Sequence, residues 1–263
     1  MPDPKKPQLK IESLEIGGIP VIYCRKGNHH QKPLVIFSHS LMASKEVFAE
    51  KLKAFAGMGY IAAALDNKDH GQRSKDDLKQ RLFSTGKLNL YDVRRLIKET
   101  ADEVGAIIDY FVAYEGIDDA RIGMVGVSMG AHITFRALVS DERIKVAAPI
   151  IGSPFWDDVP NDIPVDQSPE AMNRLSAFSN RYSPGQFLDR YYPRALLIQV
   201  GAKDIHLNVE RVQNFYEDLK PYYKETPSLL KWVKHENIGH RVSTAMWDNA
   251  VDWFREFLKP GPP

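Results

Sequence analysis

Residues 126–130 read Gly-Val-Ser-Met-Gly, a G-x-S-x-G pattern whose serine could act as a nucleophile. The pattern follows an apolar run at 121–127 and opens a segment, 129–139, with the composition of a helix. A sharp strand-to-helix turn needs glycine at both ends, because a side chain there would collide with neighbouring backbone. The turn exposes the hydroxyl beside a helix N-terminus, which favours a developing oxyanion. We predict Ser128 as the nucleophile; the alternative is a serine that only caps the helix.

A serine hydroxyl is a weak nucleophile and requires a base with a pKa near neutrality, which in proteins is histidine. His240 lies between the last predicted strand and the last predicted helix, on a loop at the carboxyl edge of the sheet. Ser128 belongs to the same edge. His235 is the nearest alternative, but it ends a strand and is predicted to be structural, whereas His132 is predicted to pack inside its helix.

The acid that orients the histidine should fall between serine and histidine in the chain, on a loop after a strand. Asp204 meets both conditions, since it follows the apolar run 196–200 and leaves room for a helix and a strand before His240. The alternative is that Asp204 only caps the next helix. Asp157 and Asp158, after the preceding strand, are weaker substitutes for the acid.

Acyl transfer also requires two hydrogen-bond donors aimed at the tetrahedral oxygen. The backbone N–H of Met129, directly after the nucleophile, is the first predicted donor. The second is expected from the loop at 38–46, which follows the first central strand.

That loop carries a family resemblance. Residues 39–46 read His-Ser-Leu-Met-Ala-Ser-Lys-Glu, which resembles the His-Gly-x-x-x-Ser-Lys-Glu of the α/β-hydrolase superfamily and, within it, of dienelactone-hydrolase and prolyl-oligopeptidase-like esterases. The resemblance continues through Asp66 and His70, then the G-x-S-x-G pattern, and implies that Leu41 is the second donor. Ser40 replaces the family's glycine. Its Cβ could narrow the oxyanion hole or fix the loop, and its hydroxyl could add a third donor.

Short apolar runs alternate with helix-period segments along the chain, which predicts an α/β fold. We expect the α/β-hydrolase architecture: a mostly parallel eight-stranded sheet with helices on both faces. The predicted strands are 10–16, 19–23, 34–37, 60–65, 121–127, 146–151, 195–200 and 229–233. The predicted helices follow Ser44 and then span 92–114, 129–139, 169–178, 210–219 and 244–258. His29 and His30 are expected in an exposed turn.

We predict a single domain, 1–263, with a small cap or lid at 155–194, ahead of the strand that precedes Asp204. This long segment contains five prolines and one predicted helix, which is typical of a functional insertion. Phe155 and Trp156 are predicted to bind substrate at the carboxyl edge of the sheet. The alternative is that they pack the cap onto the body.

Composition restricts the partners of the chain. Over 263 residues, 35 Lys and Arg nearly cancel 34 Asp and Glu, so no electrostatic field favours nucleic acid. Residues 1–7 are polar and proline-rich, and no apolar run has the length of a membrane span. These features, with a single cysteine, predict a cytoplasmic protein without membrane association. We expect no metal and no cofactor, because neither ligand spacing nor a nucleotide motif is found.

These residues favour a serine hydrolase that cleaves carboxylic esters of small to medium acyl substrates. Thioesters, lactones and small peptides would use the same side chains. A hypothesis of another class is a non-catalytic ligand receptor built on the same fold.

Overall fold

The computed structural model describes residues 9–27, 31–75, 77–83 and 86–260. The predictions for residues 1–7 and for His29 and His30 lie outside these ranges. The strands are β1 Ile11–Ile16, β2 Ile19–Cys24, β3 Leu34–Ser38, β4 Ile61–Leu65, β5 Ile122–Val127, β6 Ile144–Ile150, β7 Ala195–Gly201 and β8 Leu230–His235. The α-helices are α1 Ala49–Gly57, α2 Leu78–Leu82, α3 Leu90–Glu115, α4 Met129–Ser140, α5 Pro169–Tyr182, α6 Val209–Leu219 and α7 Thr244–Phe257.

The strands form one sheet in the order β1-β2-β4-β3-β5-β6-β7-β8. Strand β2 runs antiparallel to its neighbours β1 and β4, and all other pairs are parallel. The predicted eight-stranded, mostly parallel sheet is therefore confirmed. Every residue of β3, β4 and β5 is buried, as expected for central strands that are covered on both faces.

Each face of the sheet has its own apolar core. One core includes side chains of α3, α4 and α6, for example Phe111, Phe135 and Phe215. The other includes side chains of α1 and α7, for example Phe55 and Phe254. Helices thus cover both faces, and the parallel strands end at one common edge.

The start of α1 differs from the prediction that Ser44 caps a helix. The Ser44 side chain makes no capping hydrogen bond, and a short 3-10 turn, Lys45–Phe48, precedes α1. In this loop the Lys45 N–H donates to Asp66 Oδ1 at 3.0 Å, and its Nζ donates to Asp66 Oδ2 at 2.7 Å. These bonds tie the loop to the end of β4 instead of starting an α-helix.

The segment 155–194 consists of α5 and two short 3-10 turns, Pro184–Gln186 and Leu188–Arg190. It packs on α3, because the Phe178 ring of α5 contacts Tyr91 of α3 edge-on, with centroids 5.3 Å apart. On its other side the Phe178 ring stacks on Trp156 of the same segment, with centroids 6.0 Å apart. Helix α5 runs four residues beyond the predicted end, because its last turn also contributes Tyr182 to this aromatic cluster. Its function as a cap stays a prediction. Within the described ranges, no helix combines the length and apolarity needed to cross a bilayer.

Candidate active site

Ser128 occupies the turn between β5 and α4 in a strained backbone conformation, with φ 53° and ψ −112°. The flanking glycines explain how the turn fits. A Cβ at Gly126 would lie 2.0 Å from the carbonyl oxygen of Gly130, and a Cβ at Gly130 would lie 1.9 Å from that of Ser38. The Ser128 side chain makes no capping hydrogen bond to α4, so its hydroxyl is available for other contacts.

Three loops at the carboxyl edge of the sheet bring Ser128, His240 and Asp204 into one hydrogen-bonded chain. Ser128 Oγ lies 2.8 Å from His240 Nε2, and His240 Nδ1 lies 2.8 Å from Asp204 Oδ2. The carboxylate of Asp204 accepts a hydrogen bond from the Nδ1–H of His240, which fixes the tautomer and leaves Nε2 free to accept the serine proton. The structure therefore brings together the three residues that we predicted from sequence.

The surroundings of Asp204 distinguish it from a helix cap. Helix α6 is capped by Asn208, whose side chain accepts from the Arg211 N–H, so Asp204 is not needed there. The Asp204 side chain is fully buried, whereas 18% of the His240 side chain is exposed. The carboxylate is thus shielded from water while the imidazole faces the solvent side of the site.

The other acids and histidines that were considered lie outside this chain of hydrogen bonds. Asp157 and Asp158 bind Arg211. His235 Nε2 lies 3.0 Å from Gln199 Oε1, a structural contact. His132 is buried in α4, and burial followed by the nearby Arg94 charge holds its pKa far below the usual value.

Leu41 and Met129, the two expected oxyanion donors, line a cleft together with Ser128. Across the described part of the chain, neither backbone N–H donates to a protein acceptor, so both can receive an oxyanion. The Ser40 hydroxyl donates to the Val127 carbonyl at 3.3 Å. This contact joins the loop to the strand that carries the nucleophile, and it occupies the hydroxyl that was considered as a third oxyanion donor.

Buried polar contacts hold this loop from its other end. The side chains of Lys45 and Asp66 are 1% and 0% exposed, and Asp66 also accepts from the Gln72 N–H at 2.9 Å. His39 accepts from the Asn67 N–H through Nε2 at 3.1 Å, while its Nδ1 lies 2.8 Å from the Ser40 carbonyl oxygen. The loop position is therefore set by folding rather than by substrate.

We expect buried His39 to make the protein sensitive to mild acid. Burial lowers its pKa to about 4, against about 6.5 in the unfolded chain. Between these values only the unfolded state binds the proton, so the free energy of unfolding falls as the pH is lowered. The free energy of unfolding is therefore not reduced by His39 well above pH 6.5, and protonation of His39 in the unfolded chain lowers it by about 2 kcal/mol at pH 5. Urea unfolding of the wild type and of His39→Asn at both pH values measures it; equal pH dependence in the two proteins would contradict the assignment.

His206 is a site residue that our sequence analysis did not identify. Its ring stacks on His240 with centroids 4.2 Å apart and planes 9° apart. Its backbone N–H donates to Asp204 Oδ1 at 2.9 Å, and its Nδ1 lies 2.8 Å from Asp162 Oδ2 in the segment 155–194. The only signal for His206 in the sequence is its position two residues after Asp204.

Asp204, His206 and His240 also offer ligand atoms within 4.8 Å of one another, a spacing that could hold a metal ion. Two of these residues already share the 2.8 Å hydrogen bond between Asp204 and His240. A cation would have to compete with that bond, so the cluster fits the relay better than it fits a metal site.

Two clefts meet at Ser128, and we name each by its arginine. Leu41, Ile163, His206 and His240 contribute to both. The Arg94 cleft has a volume of about 80 Å³ and runs toward α3. The Arg241 cleft has a volume of about 390 Å³ and also contains Ser40 and Val242.

Neither Phe155 nor Trp156, which are predicted to bind substrate, lines either of these clefts. Trp156 is completely buried and stacks on Phe178. Phe155 packs edge-on against Phe215 at 5.9 Å and beneath the Arg211 guanidinium at 4.0 Å. Phe155 thus attaches the segment 155–194 to α6, which was the alternative interpretation, whereas Trp156 packs against a ring of its own segment.

Comparison with known proteins gives relatives along the whole chain. The family model of platelet-activating factor acetylhydrolase, isoform II, matches residues 24–103. "Putative esterase YitV" of Bacillus subtilis is 27% identical over 95% of this chain and 100% of that protein. "Esterase YjfP" of Escherichia coli is 24% identical, with the same coverage of both proteins. The structure of a putative dienelactone hydrolase from Klebsiella pneumoniae covers 95% of this chain and 100% of that one, with 16% identity and a TM-score of 0.67.

Proposed function

We propose that this chain, which belongs to the α/β-hydrolase superfamily, cleaves carboxylic esters of small to medium acyl substrates through an acyl-enzyme. The observation that carries the proposal is the continuous hydrogen-bonded chain from Ser128 through His240 to Asp204, at the point where two clefts meet. Two full-length relatives named as esterases support a hydrolase of this class.

In the proposed reaction, Ser128 Oγ attacks the ester carbonyl carbon while His240 Nε2 takes the hydroxyl proton. The carbonyl oxygen becomes an oxyanion and accepts hydrogen bonds from the N–H groups of Leu41 and Met129. Asp204 stabilises the imidazolium that forms. His240 then gives the proton to the leaving alcohol as the C–O bond breaks. Water then attacks the acyl carbon while His240 takes its proton; the bond to Ser128 Oγ breaks, His240 returns the proton to that oxygen, and the acid leaves.

The clefts support small or medium substrates, since an ester carbon at Ser128 can extend its acyl and alcohol parts into separate spaces of limited volume. Thioesters, lactones and small peptides remain alternatives, because the same hydrogen-bonded chain serves them equally. A panel of an alkyl ester, a thioester, a lactone and a peptide amide with the same acyl group ranks these by kcat/KM. The cytoplasmic location stays a prediction.

We expect a fluorophosphonate probe to label the wild-type protein covalently and Ser128→Ala not at all. The probe reacts only with a serine that a neighbouring base activates, so it tests the hydroxyl and His240 together. Intact-protein mass spectrometry gives the result, and Ser140→Ala, at the exposed end of α4, is the matched control. A wild type that resists the probe would favour the non-catalytic receptor.

A further inference from the structure

Arg94 is a buried cation beside the candidate active site. It lies on α3 with 6% of its surface exposed and lines the Arg94 cleft together with Ser128 and His240. Its Nε donates to the Trp156 carbonyl at 3.0 Å, and its Nη2 is 3.5 Å from the Asp158 carbonyl. Among the residues described, Nη1 has no hydrogen-bond partner and no carboxylate comes within 4.0 Å of the guanidinium. Burial of a charge without a carboxylate partner costs folding free energy, and an anionic ligand would supply the missing partner.

The nearest acids are already bound to another cation. Arg211 Nη1 lies 3.0 Å from Asp157 Oδ1 and 2.5 Å from Asp158 Oδ1. These acids raise the pKa of Arg94 from a distance, but burial is the larger effect and lowers it to about 10. Arg94 is therefore still protonated at neutral pH. Neither acid occupies the cleft.

The remaining walls of the cleft supply no negative charge. Leu88, Leu90, Val93 and Ile97 make it apolar, and His132 is held neutral by burial and by Arg94 itself. A guanidinium in such a setting binds a carboxylate strongly, because little water competes for its planar N–H groups. The apolar walls suit a short hydrocarbon spacer between that carboxylate and the ester carbon at Ser128.

We propose that Arg94 binds a carboxylate of the substrate, so that the preferred esters carry an acid group on the part that fills the Arg94 cleft. The inference rests on the proposed esterase function, and it narrows the substrate class to half-esters of short dicarboxylic acids or acyl esters of short hydroxy acids. In the first class the acid is on the acyl side, and in the second it is on the alcohol side.

The test compares esters that differ only in this charge. Monomethyl glutarate against dimethyl glutarate examines the acyl side, and 4-acetoxybutanoate against its methyl ester examines the alcohol side. Hydrolysis is followed by pH-stat titration. We expect the wild type to prefer the anionic member of at least one pair by about 30-fold or more in kcat/KM, and Arg94→Met to lower that preference to about 3-fold or less. Arg94→Lys, which keeps the charge but not the planar fork, is expected to be intermediate.

Two controls separate binding from a structural role. Arg95→Met changes the next residue of α3, whose guanidinium pairs with Glu99 at 2.8 Å outside the cleft, and should keep the preference. Arg241→Met removes the exposed cation of the other cleft and should keep it too. A wild type that hydrolyses both members of each pair with equal kcat/KM overturns the proposal. So does a preference that persists in Arg94→Met or disappears only in Arg241→Met. A merely structural arginine would lower both members of a pair equally.

Binding without turnover separates this inference from the proposed function. Calorimetry with Ser128→Ala should detect monomethyl glutarate or 4-acetoxybutanoate, and the double variant with Arg94→Met should bind at least about 10-fold more weakly. If neither ester is hydrolysed but this difference is found, the esterase proposal fails and the carboxylate site stands. If Ser128-dependent hydrolysis proceeds with no charge preference, the reverse holds. Thermal unfolding of each variant verifies that it is folded.

Discussion

Replacement of Ser128 by alanine is expected to lower kcat for a short p-nitrophenyl ester by about five orders of magnitude. The reason is that no other hydroxyl is in hydrogen-bond contact with His240 Nε2 in the described ranges, so the acyl-enzyme cannot form. Release of p-nitrophenol at 405 nm, followed over hours for the variant, measures both rates. Background hydrolysis is subtracted with heat-denatured protein.

The matched control for this experiment is Ser140→Ala on the same helix. Its hydroxyl only donates to the Arg136 carbonyl at 3.1 Å, so its kcat should stay within about twofold of the wild type. Turnover by Ser128→Ala above one-tenth of the wild-type rate would exclude this serine as the nucleophile.

The change Asp204→Asn is expected to lower kcat by about four orders of magnitude with a much smaller change in KM. Asparagine has nearly the same shape, but it removes the negative charge that stabilises the imidazolium and no longer favours the Nδ1–H tautomer. The His206 N–H can still donate to the remaining amide oxygen, so the local backbone should be preserved. Steady-state kinetics with the same ester gives kcat and KM separately.

Asp157→Asn is the control for this acid, since Asp157 was a sequence alternative and its carboxylate binds, among the residues described, only Arg211. It should leave kcat within about threefold. A larger loss in Asp157→Asn than in Asp204→Asn would mean that the orienting acid has been assigned to the wrong loop.

The order of elements and the three residues of the hydrogen-bonded chain could be predicted because each has a local signal. Burial of central strands produces continuous apolar runs, and the crowded turn at Ser128 demands the glycines on either side. Asp204 and His240 follow strands of a parallel sheet, whose ends meet at one edge. Chain order and sheet topology were therefore sufficient to predict that Asp204 and His240 lie close together.

Contacts between distant segments could not be predicted in the same way. The sequence placed Phe155 and Trp156 near the sheet edge, but which way an aromatic ring turns depends on partners such as Phe215 and Phe178, far away in the chain. Our sequence analysis did not consider Arg94, although it lies three residues before Ile97 on the apolar face of α3. The role proposed for Arg94 depends on the absence of an acidic side chain from the Arg94 cleft, and this cleft forms only when the chain is folded.

The stacked imidazoles of His206 and His240 lie between the segment 155–194 and the hydrogen-bonded chain that begins at Ser128. Asp162 reaches His206 from the segment 155–194, and the Asn161 N–H donates to the Ile205 carbonyl at 3.2 Å beside it. Exchange of that segment between homologues would also remove the carboxylate that lies 2.8 Å from His206 Nδ1, beside the ring stacked on His240. We therefore expect a graft of this segment to preserve the surroundings of His240 only if it retains a negative charge at position 162.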